Sequence, residues 1–434
     1  MTSLPADHPL RAALTNEVHA RPYAELTPPE RACHLALHSG ESGREADRAH
    51  LAELCERYSL APPPADANHM MADFGPFRLK WERHAEFASY SVFCAGNSPG
   101  APFSEPAISI LPEDWLTRMP GELMVAIQAE IEPADRPSRD QAALATLFEG
   151  NSFAGSVVAG GAAAAWMDFA LNPDGFGRLL IHDRGLRPRQ AGRLLQRLFE
   201  IETYRVMALL ALPLARRGSA MLAGANERML VITERMAGLS GLDEERALLE
   251  EISRVSMDIE GIAAQTGYRF GAAKAYHALV RRRIAELREQ RVEGQQTIGD
   301  FMERRLAPAM QTCESVSERI DRISRRLARA GQLLRTRVDI NLEAQNSDLL
   351  QSMDRRAKLQ LRLQQTVEGL SVAAITYYLV SLVGYLARAT ADLGISIPYN
   401  LVTGISIPFV AALVWYGVRR AKRLVVGGSE RAKA

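Results

Sequence analysis

Lysine is nearly absent from this chain: five of its 52 basic residues are lysines and the others are arginines. The bias fits a GC-rich genome better than a function, because 51 acidic residues bring the net charge to +1. Such a balance exerts no general pull on nucleic acid or acidic lipid. Cysteine is scarce as well. Cys33, Cys55, Cys94 and Cys313 stand apart without CxxC spacing, which excludes a paired-cysteine zinc site and a disulfide framework and fits a reducing compartment. P-loop, complete GxGxxG and HExxH patterns are all missing. The opening "MTSLPADHPLRAAL" lacks a basic segment followed by an apolar run, so no signal peptide is expected, and any route to a membrane runs through the other end.

With 24% charged residues and a mean hydropathy of −0.12 over 434 residues, the apolar excess must be local. It lies near the C-terminus. Residues 367–386 carry one formal charge, Glu368 at the edge, and residues 399–418 carry none. At about 1.5 Å per helical residue each stretch covers about 30 Å, the hydrocarbon thickness of a bilayer. Arg355, Arg356, Lys358 and Arg362 precede the first stretch. Trp415 and Tyr416, then Arg419, Arg420, Lys422 and Arg423, close the second, whereas the connecting loop sets Arg388 against Asp392. The pattern predicts a two-span hairpin in an inner membrane, both termini cytoplasmic, with residues 419–434 as a basic cytoplasmic tail and the lipid bilayer as a partner.

Residues 309–366 contain no proline and read as one long helix. Cys313, Val316, Ile320, Ile323, Leu327, Ala330 and Leu334 alternate by three and four, after which the stripe shifts through Val338, Leu342, Leu349 and Met353. This predicts a coiled-coil stalk of roughly 85 Å that runs into the first span and pairs with further copies in a homo-oligomer. Upstream, segments 188–211, 214–237, 242–265 and 272–290 are set apart by Pro213, "GLSG" and "TGYRFG", which predicts a helical bundle over 186–308. Residues 1–185 hold short alternating runs, among them "ACHLALHSG", "FRLKWERH", "FASYSVFCAG" and "ELMVAIQAEI". They predict an α/β domain, so the fold class is α+β.

Few local patterns carry chemistry. Gly96 to Gly100 spells G-x-S-x-G, but Pro99 and Pro102 forbid the helix that a nucleophilic Ser98 needs, leaving a surface loop. His34 and His38 share one face of a strand without a carboxylate at ligand spacing, and read as structural. "NEVHARP" gathers Glu17, His19 and Arg21, with His19 and Arg21 as a candidate anion-binding loop. Asp168, Asp174 and Asp183 flank an Asp-Gly turn that reads first as a hairpin, and Arg197, Glu200, Glu202 and Arg205 read as ion pairs along one helix. In the spans, Ser371, Thr376 and Ser381, with Asn400, Thr403 and Pro408, are candidate pore-lining residues. Arginines that alternate with acids argue against nucleic-acid binding, and neither an enzyme nor a cofactor is expected.

"HPLRAALTNEVHARP", "GRLLQRLFEIETYRVMALLALPLAR" and "LLQSMDRRAKLQLRLQQTVEGLSVAAITYYLVSLVGYL" together resemble the DUF3422 family, whose members are described as membrane-anchored bacterial proteins without an assigned activity or site. In layout the chain is also similar to CorA-type magnesium channels. Their mark is a Gly-Met-Asn triplet after the first span; here that place reads "VGYLARA", so the ion-selecting element is not inherited. The sequence thus predicts an anchored, oligomeric protein of unassigned activity, with a CorA-like channel or a tethered scaffold or sensor as alternatives.

Overall fold

The computed structural model describes residues 7–11, 14–15, 23–239, 241–392 and 399–431, with no side chains for 390–392 and 421–431. Two compact units are present, one of Met1–Leu239 with Leu248–Gln332, the other of Ser240–Ala247 with Leu333–Ala434. The α+β class is confirmed.

In the first unit the strands are β1 (Glu30–His38), β2 (His69–Asp73), β3 (Arg78–Arg83), β4 (Phe87–Ala95), β5 (Glu122–Glu132), β6 (Ala154–Val158), β7 (Ala163–Met167), β8 (Gly177–Asp183) and β9 (Gln290–Arg291). They form one nine-stranded sheet in the order β2-β3-β4-β1-β5-β8-β7-β6-β9. Every neighbouring pair is antiparallel except β5 and β8. The Asp-Gly turn joins β7 to β8 as a hairpin, with Gly175 at φ 84°, a conformation glycine adopts without strain.

Strand alternation gives the sheet two unlike faces. Cys33, Leu35 and Leu37 of β1, Leu79 and Trp81 of β3, and Tyr90 and Val92 of β4 form one core with helix α1 (Arg44–Arg57) and with Trp115 of the short α2 (Glu113–Leu116). Each fully buried large side chain there contributes about 1.5–3 kcal/mol. A further short helix, α3 (Gln141–Leu147), is N-capped by Asp140, whose carboxylate accepts from the Ala143 amide. The opposite face, which alternation alone would assign to water, is covered by α4 (Pro188–Leu209). That helix comes close to the segment before β1: a Cβ at Gly192 would sit 1.7 Å from the Ala24 carbonyl oxygen, so only glycine fits.

Beyond α4 come α5 (Ala211–Gly238), α6 (Leu242–Leu287), α7 (Ile298–Arg305), α8 (Ala307–Asp392) and α9 (Tyr399–Arg431). Two breaks differ from expectation. Pro213 lies in the first turn of α5, where its missing N–H costs nothing, and the chain turns at Leu210. "TGYRFG" does not interrupt α6, because Thr266 and Phe270 are buried and Thr266 bonds back to the Ile262 carbonyl, which outweighs the roughly 1 kcal/mol each of Gly267 and Gly271.

The largest correction concerns the predicted coiled-coil seam. Cys313, Val316, Ile320, Ile323, Leu327 and Ala330 are already buried within the first unit, against α5 and α6. A Cβ on Gly218 of α5 would touch Val316 at 3.5 Å and Ile262 of α6 at 3.9 Å. Arg319 donates to the Leu222 carbonyl at 3.3 Å. A 3-4 stripe states that a helix needs partners but not which chain supplies them; here α5 and α6 supply them, and this seam is not free for a second copy. Two boundaries shift with it. The bundle draws in the start of α8, and Gln290–Arg291 leaves it to pair with β6. The prediction follows that Ile320→Asp or Leu327→Asp lowers stability by about 3 kcal/mol or more, since a carboxylate would be buried unpaired. Chemical denaturation followed by circular dichroism measures this; a folded variant of altered oligomeric state would return the seam to an intermolecular role.

Candidate functional site

Under α4 lies a buried polar layer. His34 of β1 is 7% exposed, stacks on Phe199 at 4.7 Å, and bonds through Nδ1 to Ser91 Oγ at 2.8 Å and through Nε2 to Thr203 Oγ1 at 3.1 Å. Burial, reinforced by the Lys80 charge, lowers its pKa to about 3. Lys80 donates to Gln196 Oε1 at 2.8 Å and lies 3.2 Å from Glu82. Gln196 passes the contact to Glu200 at 2.7 Å, and Glu200 accepts from Arg283 of α6. These groups surround a cavity of about 30 Å³, room for one water. With both ring nitrogens of His34 held by hydroxyls and a cation beside it, the imidazole is a neutral structural bridge and not a base poised over a nucleophile.

At one corner of the sheet, Glu86 accepts from both Nη atoms of Arg269, at 2.9 and 2.6 Å, and from the Tyr276 hydroxyl at 2.9 Å, with His38 Nε2 at 3.6 Å. Burial would raise the Glu86 pKa, but these partners outweigh it and hold the carboxyl below its usual range. Next to it, Asp47 of α1 accepts from Ser39 at 2.8 Å and pairs with Arg83 at 3.2 Å. A pocket of about 340 Å³ opens here, lined by Arg44, Asn68, Arg83, His84, Tyr204 and Tyr276 among others.

The sequence motifs disperse. Ser98 is buried, not on the surface, and donates to Glu130, so the G-x-S-x-G loop is anchored inward. Glu202 and Arg205 pair along α4 as expected, whereas Arg197 and Glu200 reach across to Glu286 and Arg283 of α6. Asp168 and Asp174 accept amides of their own hairpin, and Asp183 accepts the amides of Gly185 and Leu186 ahead of α4. Among the described residues no three His, Cys, Asp or Glu side chains converge as a metal site. His19 and Arg21 lie outside the described residues. Five functional side chains were not singled out from the sequence: Lys80 and Glu82 fall on the alternating polar positions of "FRLKWERH", whose covering by α4 no spacing announces, Arg83 falls on the opposite phase and meets Asp47 of α1, and Gln196 and Thr203 carry no local signal on α4.

In the second unit the end of α8 and α9 form a hairpin. A Cβ on Gly384 would lie 3.2 Å from the Tyr399 ring, over which Arg388 sits at 4.4 Å. Covered residues recur every three or four positions, through Val372, Thr376, Val380, Gly384 and Ala387, and through Tyr399, Thr403, Ser406, Val410 and Val414. Of the candidate pore-lining set, Thr376, Ser381 and Thr403 are half-buried while Ser371, Asn400 and Pro408 are exposed, so the set does not share one surface. Ser371, Thr376 and Thr403 each donate to the carbonyl four residues back, at 2.8, 2.6 and 2.8 Å, and Pro408 sits inside α9 without ending it.

The buried His34 generates a pH prediction. Its folded-state pKa of about 3 lies below the unfolded value of 6.5, so between those pH values the unfolded chain binds more protons. Stability is therefore full above pH 6.5 and falls on acidification through this window, by up to about 1.4 kcal/mol per pH unit from this group. Urea midpoints at neutral pH and near pH 5 should differ, and His34→Gln should shrink the difference; an unchanged pH dependence in the variant would refute this assignment.

Three stretches are long and apolar enough to cross a membrane, within Pro188–Gly238, Ile298–Ala389 and Tyr399–Arg420, one more than the two predicted. No curated protein and no solved structure matches the chain. A family described as proteins of unknown function matches residues 6–425, nearly the whole length, and the chain therefore belongs to the DUF3422 family.

Proposed function

We propose that the chain is a two-span membrane-anchored protein whose hairpin is a tether and whose first unit works in the cytoplasm, without catalysis of its own. One observation carries this reading: the outward faces of the hairpin are large and apolar, with Leu370 74%, Phe409 72% and Leu413 71% exposed. Only 11% and 6% of the two apolar windows is buried, against 33% of the window within Pro188–Gly238. In that third stretch Ala211, Ala215, Leu222, Met229 and Ile232 are already buried, and Arg216 and Arg217 interrupt it, so it is assigned to the soluble part. The tether is favoured over a CorA-like channel because hydroxyls that bond their own helix within a two-helix seam serve packing, while the surface left for neighbours is leucine and tyrosine. The basic residues before 367 and after 418 orient both termini to the cytoplasm of an inner membrane. Reporter fusions at Asp392 and Ala434 test it, with an external signal expected at the first and a cytoplasmic one at the second; a cytoplasmic Asp392 would overturn the hairpin.

A second copy fits a different stripe from the one buried in the bundle. Leu349, Met353 and Leu363 of α8 are 61%, 64% and 69% exposed, at coiled-coil spacing, on a stretch before the span that water would cover. Pairing through this stripe predicts that Leu349→Asp with Met353→Asp lowers the oligomeric mass in detergent, read by light scattering, without unfolding the chain. A double variant of unchanged mass would remove the stripe as an interface.

A further inference from the structure

We infer that the corner pocket bounded by Arg44, Asn68 and Arg83 is a binding site for a small phosphate-bearing anion. The Arg83 side chain is 1% exposed, and its guanidinium is only partly used: Nη2 donates to the Gly40 carbonyl and Nε lies 3.2 Å from Asp47 Oδ2, but Nη1 has no hydrogen-bond partner. A buried guanidinium N–H left unmade costs free energy that a ligand oxygen would restore. Arg44, the first residue of α1, lines the same pocket and makes no ion pair among the described residues. The two like charges lie near enough for Arg44, after burial, to help lower the Arg83 pKa against the pull of Asp47. Asp47 offsets one of the two cations, Arg269 and Glu86 offset each other next door, and Arg44 is the spare charge that an anion would neutralise.

The third group selects among anions. Asn68 lines the pocket, and its side-chain oxygen is buried without a donor. A carboxylate brings only acceptors, whereas a protonated phosphate oxygen both accepts from arginine and donates to the amide oxygen. The volume of about 340 Å³ leaves space for an organic body beside the phosphate, against the wall of Tyr204 and Tyr276, whose rings stack at 5.7 Å and 13°. The site belongs wholly to the first unit and does not depend on the membrane assignment.

The test uses the full chain in detergent, with inorganic phosphate as the probe and binding read by titration calorimetry and by phosphorus NMR line width. Saturable binding is expected in the millimolar range or tighter. Arg44→Glu reverses an exposed charge and should weaken it by about tenfold or more, while Arg44→Lys retains most of it. Asn68→Asp should also weaken it, by placing a carboxylate against the phosphate. Circular dichroism establishes that each variant is folded. Absence of saturable binding in the unaltered chain, or binding that both Arg44→Glu and Asn68→Asp leave unchanged, would overturn the assignment.

Discussion

Mutual satisfaction of the polar groups trapped between the sheet and α4 is the constraint on which the first unit depends. Each buried donor or acceptor left unmade costs about 1–3 kcal/mol, so covering the polar face of β1, β3 and β4 is tolerable only if partners come from the covering helix. They do: Thr203 meets His34, Gln196 meets Lys80, and Glu200 continues to Arg283. The layer thereby fixes the register of α4 along the strands more tightly than apolar contact would, because a slide of one residue would break several bonds together. It also ties α6 to the sheet, and with α6 the bundle that buries the start of α8.

The hairpin, on the proposed reading as a membrane tether, answers to the opposite solvent. Inside it, Gly384, Ala387 and Thr403 keep the two helices close, and outside it leucines, tyrosines and phenylalanine stand free. Among water-soluble elements that arrangement would be inverted, with the large apolar groups turned inward as they are around Trp81 and Trp115. Were the hairpin in lipid, as proposed, no hydrophobic drive would separate the two surfaces, and close packing of small residues would decide which face is shared.

Much of this was legible in the residues. Strand alternation located β1, β3, β4 and β5, and the long proline-free stretch became the continuous α8. The edge strand β2 is half-buried almost evenly along its length, so it shows no in-and-out alternation, and β9 has only two residues. The seam from Cys313 to Ala330 was visible as a stripe but silent about its partner, since α5 and α6 present stripes that only the fold brings opposite it. The corner pocket was invisible for a related reason. Arg44, Asn68 and Arg83 are separated by 24 and 15 residues and come from a helix, a loop and a strand end, so no local spacing joins them.

The four cysteines carry a consequence of their own. All are buried, and desolvation raises each thiol pKa above its ordinary value, so almost no thiolate is present near neutral pH. Oxidants and alkylating reagents that act on thiolates therefore find these four side chains poor targets in the folded chain. The same silence serves the experimenter. A single cysteine introduced anywhere on the hairpin would report its own surroundings against a native background that does not answer.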